Sequence, residues 1–193
     1  MLESLFPLIV LFLVIFDPLA SFVIFLVATS KMNPVERKKT ATYALLVAGG
    51  LSLLVLLLGS TLLWVFNTNI KDFQIAGGLV LAILGVKMVL GYSLTHIEEV
   101  KNNSGWAIAS IIGTPLLTGP ATITAIIISS NDYGKLVTGL AVFIVLGITA
   151  FLFYNAEKAN KYIGRTTIQV TSTILGLITL AWGVQYILTG LGW

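Results

Sequence analysis

Six apolar stretches, each about long enough to cross a bilayer, set what this chain can fold into. They run from about Leu5 to Thr29, Thr40 to Phe66, Phe73 to Tyr92, Trp106 to Ser130, Leu136 to Asn155, and Ile168 to the end. A span needs about 20 mostly apolar residues, so the spans take up most of the chain and leave only short loops. Charged residues make up 10% of the chain, too few to keep it dissolved in water. The expected fold class is therefore all-α: a polytopic membrane protein with one transmembrane domain over residues 1–193, its natural partner the lipid bilayer rather than a nucleic acid. The start, Met1-Leu2-Glu3-Ser4, lacks the basic segment of a cleaved signal peptide, so the first stretch reads as a retained helix. The absence of cysteine excludes disulfides, thiol catalysis and zinc-thiolate sites.

Lysine and arginine in the loops set the orientation. With the N-terminus outside, the inner loops carry Lys31, Arg37, Lys38, Lys39, Lys101, Lys158, Lys161 and Arg165, and the outer loops carry Lys71 and Lys135. Both termini then face outward. The two halves of the chain, about 1–92 and 106–193 with a loop at 93–105, resemble each other. Gly78-Leu79-Val80 leads to Gly85-Val86-Lys87, and Gly176-Leu177-Ile178 leads to Gly183-Val184-Gln185 with the same glycine spacing. Asp17-Pro18 in the first span is matched by Gly119-Pro120 in the fourth. Three spans per half is an odd number, so the expected plan is two inverted three-helix repeats, a common plan of secondary transporters.

Pro18 and Pro120 lie near the middle of their spans. Proline removes a backbone donor and drives the preceding residue out of helical geometry, yet suits the first position of a new helix. Asp17, a favoured N-cap, can therefore start a second half-helix, and Thr118-Gly119-Pro120 can do the same. Thr114-Pro115 adds an interruption just upstream. Helices one and four are accordingly expected to be discontinuous, with the alternative that the prolines merely kink them. Half-helix starts present free N–H groups and a positive dipole end, which favour an anionic group such as a carboxylate. Asp17 reads first as a cap with a secondary role as a ligand for an ammonium group, the alternative being a proton carrier. Ser21, Thr122 and Thr124 follow the breaks closely enough to bond a ligand or to bond back to their own helix. The candidate substrate site is Asp17, Pro18, Ser21, Thr118, Gly119, Pro120 and Thr122, with no catalytic residues, metal or cofactor. Lys87 reads as a side chain reaching for the cytoplasmic surface, the paired glycines as helix contacts, and Trp64, Trp106 and Trp193 as interfacial anchors. His96 reads as a solvated loop residue.

Several segments together resemble one family. They are Asp17-Pro18-Leu19, Asn33-Pro34-Val35-Glu36-Arg37, Ile75-Ala76-Gly77-Gly78-Leu79 continuing to Gly85-Val86-Lys87-Met88, Pro115 with Gly119-Pro120, and Gly183-Val184-Gln185-Tyr186-Ile187. In that order they resemble the MarC family of membrane proteins over nearly the whole chain. The resemblance implies a six-span plasma-membrane protein, and a transporter or exporter of small neutral amino acids such as glycine and alanine. A zwitterion suits the expected site, and a proton or a sodium ion is the candidate coupling ion. Ala121 stands where the family usually has a second glycine, and Asp17 where many members have asparagine; an amide can cap a helix but cannot carry a proton. The competing readings are a channel-like pore or exporter of another small solute in the same fold, and a membrane-embedded enzyme, disfavoured because only Asp17 and Lys87 are ionisable within the spans.

The orientation has a direct check. Because the chain has no cysteine, single cysteines placed at positions 38 and 135 can be probed in intact cells with an impermeant thiol reagent. Labelling is expected at 135 and not at 38; the reverse pattern would overturn the assignment.

Overall fold

A computed structural model describes residues 2–65, 67–91, 105–156 and 165–193, and all regular structure among them is helical. The elements are α1 (Leu2–Phe16), α2 (Pro18–Ala28), α3 (Pro34–Val65), α4 (Ile70–Val89), α5 (Gly105–Ile111), a π-helical segment (Ile112–Leu117), α6 (Pro120–Tyr133), α7 (Lys135–Tyr154) and α8 (Arg165–Leu191). Among the described residues, five segments are long and apolar enough to cross a membrane: Ser4–Ala28, Pro34–Gly59, Ile70–Val89, Lys135–Tyr154 and Gln169–Leu191. The fourth apolar stretch of the sequence is not one of them, because it is cut into α5, the π segment and α6.

Two boundaries differ from expectation. The segment from Lys31 to Lys39 reads in sequence as a basic loop, but α3 already begins at Pro34. Asn33 and Glu36 form a reciprocal capping box: Asn33 Oδ1 accepts from the N–H groups of Val35 and Glu36 at 3.0 and 2.9 Å, and Glu36 Oε2 accepts from the Asn33 N–H at 3.1 Å. With Pro34 at the first helical position, this fixes the helix start ahead of the apolar run. Arg165, expected in the last basic loop, is the first residue of α8. His96, Glu98, Glu99, Lys101, Lys158 and Lys161 lie outside the described residues.

Burial locates the centre of the bundle. In Ser4–Ala28, 72% of the most apolar window is buried, against 22% in Gln169–Leu191. The α1–α2 segment is therefore the most enclosed part of the bundle, packed by the π segment, α6, α7 and α8. Its phenylalanines Phe12, Phe16, Phe22 and Phe25 are almost wholly buried, and Phe25 stacks on Phe153 of α7 with ring centroids 4.4 Å apart. The outer faces stay apolar as well: Leu53, Leu54, Leu57 and Leu58 of α3 and Phe143 and Phe151 of α7 are exposed. A helix apolar all round suits lipid on its outer side. Trp64, Trp106 and Trp193 are exposed near helix ends, and Lys87 is exposed in the last turn of α4, as expected of interfacial groups.

α4 and α8 form the closest helix pair. A Cβ built on Gly78 would sit 2.6 Å from the Gly183 carbonyl oxygen, and one on Gly85 would sit 2.7 Å from the Gly176 carbonyl oxygen. One on Gly190 would meet the Lys71 carbonyl oxygen at 2.7 Å. The contacts climb α4 as they descend α8, so the two helices run antiparallel. Without a hydrophobic drive between helices in lipid, small residues that let backbones approach supply the packing.

α3 lies alongside the interrupted segment and runs in the same direction. Gly105 lies against Thr40, Gly113 against Val47, and Gly59 against Ile127. The stability test follows from the glycine contacts. Gly85→Ala is expected to destabilise the protein by about 1–3 kcal/mol, because its methyl would press on backbone rather than on a movable side chain. Gly50 has nothing within 4 Å of a built Cβ, so Gly50→Ala is expected to be neutral or stabilising by up to about 1 kcal/mol. Equal thermal unfolding of the two variants in detergent would contradict the close approach.

Candidate functional site

The first break occupies a single residue. Proline at 18 bars Asp17 from helical geometry, and Asp17 takes up a left-handed conformation, φ 40° and ψ 69°. Aspartate tolerates this region better than most residues, because its short side chain bonds locally. Asp17 Oδ1 accepts from the Ala20 N–H at 3.2 Å, and its carbonyl accepts from the Ser21 N–H at 3.0 Å. The Ala20 N–H is thereby diverted from Phe16, and Ser21 Oγ donates to the Phe16 carbonyl instead at 3.2 Å. The Ala20 N–H and the Phe16 and Asp17 carbonyls thus find partners at the break, in keeping with the demands of a bilayer interior.

The second break is longer. Thr114, before Pro115, is extended at φ −149° and ψ 122°, and the Thr118 N–H reaches back to the Gly113 carbonyl at 3.1 Å across the wide π turn. Gly119, before Pro120, is extended at φ −86° and ψ −176°. Thr118 Oγ1 donates to the Ala48 carbonyl of α3 at 3.2 Å and pins the break laterally. Thr122 Oγ1 donates to the Leu117 carbonyl at 2.9 Å. Ser21 and Thr122 therefore perform the same task, each closing the last carbonyl before its break from a hydroxyl five residues on.

The two breaks differ in one respect. The α2 start is capped by the Asp17 carboxylate, whereas α6 has no side-chain cap, since Gly119 offers none. The Asp17 side chain that caps one half-helix thus has no counterpart at the start of the other.

The structure brings the breaks together. α1 packs on α6, and α2 packs on the π segment, so the first part of each interrupted span lies on the second part of the other. Two segments in that relation cross near their breaks. Asp17, Pro18, Ser21, Thr118, Gly119 and Thr122 are all buried there, while Pro120 and Thr114 are exposed. α4 closes one side: Gly77 lies so near Thr124 of α6 that a Cβ would overlap its methyl group.

A residue that the sequence did not point to completes the first break. Ser172 of α8 is buried and donates to Asp17 Oδ2 at 3.5 Å, a long bond. Its only signal is a Thr171-Ser172-Thr173 run in an apolar helix, which says nothing about a partner 155 residues away. A cavity of about 260 Å³ lies elsewhere, between the start of α3 and the end of α7, lined by Arg37, Lys38, Phe153 and Tyr154 among others. It is about 12 Å along α2 from Asp17, taking Phe25 as the point of contact.

A family model described as "MarC family integral membrane protein" matches residues 2–192. The chain is 32% identical to a UPF0056 membrane protein of Methanocaldococcus jannaschii over 92% of this chain and 90% of that one. It is 30% identical to a UPF0056 membrane protein of Pyrococcus horikoshii over 100% and 95% of the two chains. With the UPF0056 membrane protein YhcE of Escherichia coli it shares 27% identity over 91% and 86%. No solved structure matches it significantly.

Capping at position 17 can be tested by stability alone. Asp17→Asn retains both the acceptor and the tolerance of left-handed backbone, and should unfold within about 0.5 kcal/mol of the parent. Asp17→Ala should lose about 2 kcal/mol, roughly half from the cap and half from the backbone conformation. Denaturant titration in detergent measures both; an alanine variant as stable as the asparagine variant would contradict capping.

Proposed function

The chain belongs to the MarC family of integral membrane proteins, and on that premise we propose that it is a transporter of small neutral amino acids. In this reading it crosses the plasma membrane six times, with both termini outside, as two inverted three-helix repeats. Substrate sits near the midplane, between the half-helices that start at Pro18 and Pro120. A proton or a sodium ion is the coupling partner.

The observation that carries the reading is the crossing of two interrupted helices at their breaks, with a proline starting the second half of each. Discontinuous helices meeting between opposed repeats are where many secondary transporters bind substrate. The glycine contacts support the repeat. Gly78 of one half meets Gly183 of the other, and Gly85 meets Gly176. Exchanging the halves turns Gly78 into Gly176 and Gly85 into Gly183, and the same pairs return, which is the mark of a two-fold interface.

The asymmetry of the breaks supports a zwitterion over a simple anion. The open start of α6 suits a carboxylate, because its free N–H groups and dipole favour negative charge. The capped start of α2 carries a carboxylate of its own, which favours a substrate ammonium group nearby. A carrier also fits better than an enzyme. Lys87, the other ionisable group within the apolar stretches of the sequence, is exposed in the last turn of α4, whereas Asp17 is buried.

Purified protein in proteoliposomes should take up labelled glycine or alanine saturably and should accelerate exchange when unlabelled amino acid is trapped inside. Asp17→Asn should retain this exchange if the residue acts chiefly as a cap. Flux that neither saturates nor shows counterflow would favour a pore, and absence of flux for every small neutral amino acid would overturn the substrate class.

A further inference from the structure

The helix α3 carries a hydroxyl that the site described above does not use. Ser52 is 1% exposed, and its Oγ has no hydrogen-bond partner. A serine inside a helix ordinarily bonds back to the carbonyl four residues before it. Thr29, Thr42, Thr149, Thr173 and Thr189 all do so in this protein. For Ser52 that carbonyl belongs to Ala48, and Ala48 already accepts from Thr118 Oγ1 at the second break. The contact that pins the break thus occupies the natural partner of Ser52.

The helix register says where the hydroxyl points. Ala48, Ser52, Val55 and Gly59 form one buried stripe on α3, within about 60° of one another at 3.6 residues per turn. Ala48 at one end of the stripe meets Thr118, and Gly59 at the other meets Ile127 of α6. Because α3 and α6 run in the same direction, Ser52 falls between these two contacts, beside the start of α6 at Gly119-Pro120. That start is the one without a side-chain cap. A buried, unpartnered hydroxyl and an open helix N-terminus, of which Gly119, Ala121 and Thr122 are buried, lie at one level of the bundle and are complementary to a single shared acceptor.

We propose that Ser52 is a substrate-binding residue, donating its hydroxyl proton to the carboxylate held at the N-terminus of α6, alongside the N–H groups of that first turn. This rests on the reading that the crossing of the breaks is the substrate site, and names the side chain that recognises the acid end. The ligand class is a small α-amino acid with a free carboxylate. Thr118 is a positioning residue in this scheme, because it holds the Ala48 carbonyl and so keeps Ser52 available.

The test compares the parent, Ser52→Ala and Ser52→Thr as full-length proteins, with labelled glycine as the probe. A bond to a charged acceptor predicts that Ser52→Ala raises the half-saturating glycine concentration in counterflow by about ten- to a hundredfold. Ser52→Thr, which keeps the hydroxyl, should restore much of the loss. Thermal unfolding provides a readout that a structural role would move differently. Removing a buried hydroxyl that has no partner should leave the glycine-free melting temperature unchanged or raised, while the upward shift caused by millimolar glycine should largely vanish. Counterflow by the parent with unchanged half-saturation in Ser52→Ala would overturn the role of Ser52 alone. A fall in glycine-free stability that accounts for lost transport would also overturn it. No glycine or alanine transport by the parent would overturn the substrate reading itself, and this inference with it.

Discussion

A backbone that leaves helical geometry inside a bilayer must find partners for every polar group it releases, and the organisation of this protein follows from that demand. Proline at 18 and 120 makes two such departures unavoidable. At the first, one aspartate absorbs the whole disturbance: it turns left-handed, caps the next helix with its carboxylate, and leaves Ser21 to close the carbonyl behind it. At the second, the disturbance spreads over a π turn, an extended threonine and an extended glycine, and is held from outside by the Ala48 carbonyl. The first solution is mostly local, with Ser172 of α8 adding a long bond to Asp17 Oδ2. The second depends on α3 and leaves the next helix uncapped, which is what makes it the more open of the two.

The rest of the bundle holds these breaks where they are. The α1–α2 segment lies at the centre, so its break is shielded by helices rather than by lipid. α4 and α8 pack through glycines at backbone distance, and α4 then presses Gly77 onto the second turn of α6. A methyl group at Gly78 or Gly85 would therefore disturb more than the pair it separates. It would shift the wall against which α6 starts. The exposed outer faces of α3 and α7 need no such tuning, because lipid accepts any apolar side chain.

Local chemistry made some of this legible in the sequence. Asp17-Pro18 and Gly119-Pro120 were readable as helix starts because proline's missing donor and its effect on the preceding residue act within two positions. Glycine spacing in the third and sixth apolar stretches was readable for the same reason, since it is a pattern along one helix. The capping box at Asn33 is equally local, but the charge of Arg37, Lys38 and Lys39 gives the segment the composition of a loop. The functions of Ser21 and Thr122 were not decidable from sequence, as a hydroxyl near a break can serve a ligand or the carbonyl behind it; here both bond back. Ser172 and Ser52 were not legible at all. Each matters through a partner brought by another helix, and for Ser52 the deciding fact is that Thr118, 70 positions from Ala48, takes the acceptor that it would otherwise use.

The central claim is that the uncapped start of α6 seats the acid end of the substrate, and a distance inside the membrane tests it most directly. Glycine labelled with carbon-13 at its carboxyl group can be bound to protein whose alanine and threonine amides carry nitrogen-15, and dipolar dephasing in solid-state NMR can be measured on reconstituted samples. Hydrogen bonds from the first turn of α6, at Ala121 and Thr122, would put the carboxyl carbon about 3.5–4 Å from an amide nitrogen. The account expects strong dephasing that disappears when excess unlabelled glycine displaces the label. Saturable binding of glycine without dephasing from these amides would contradict it.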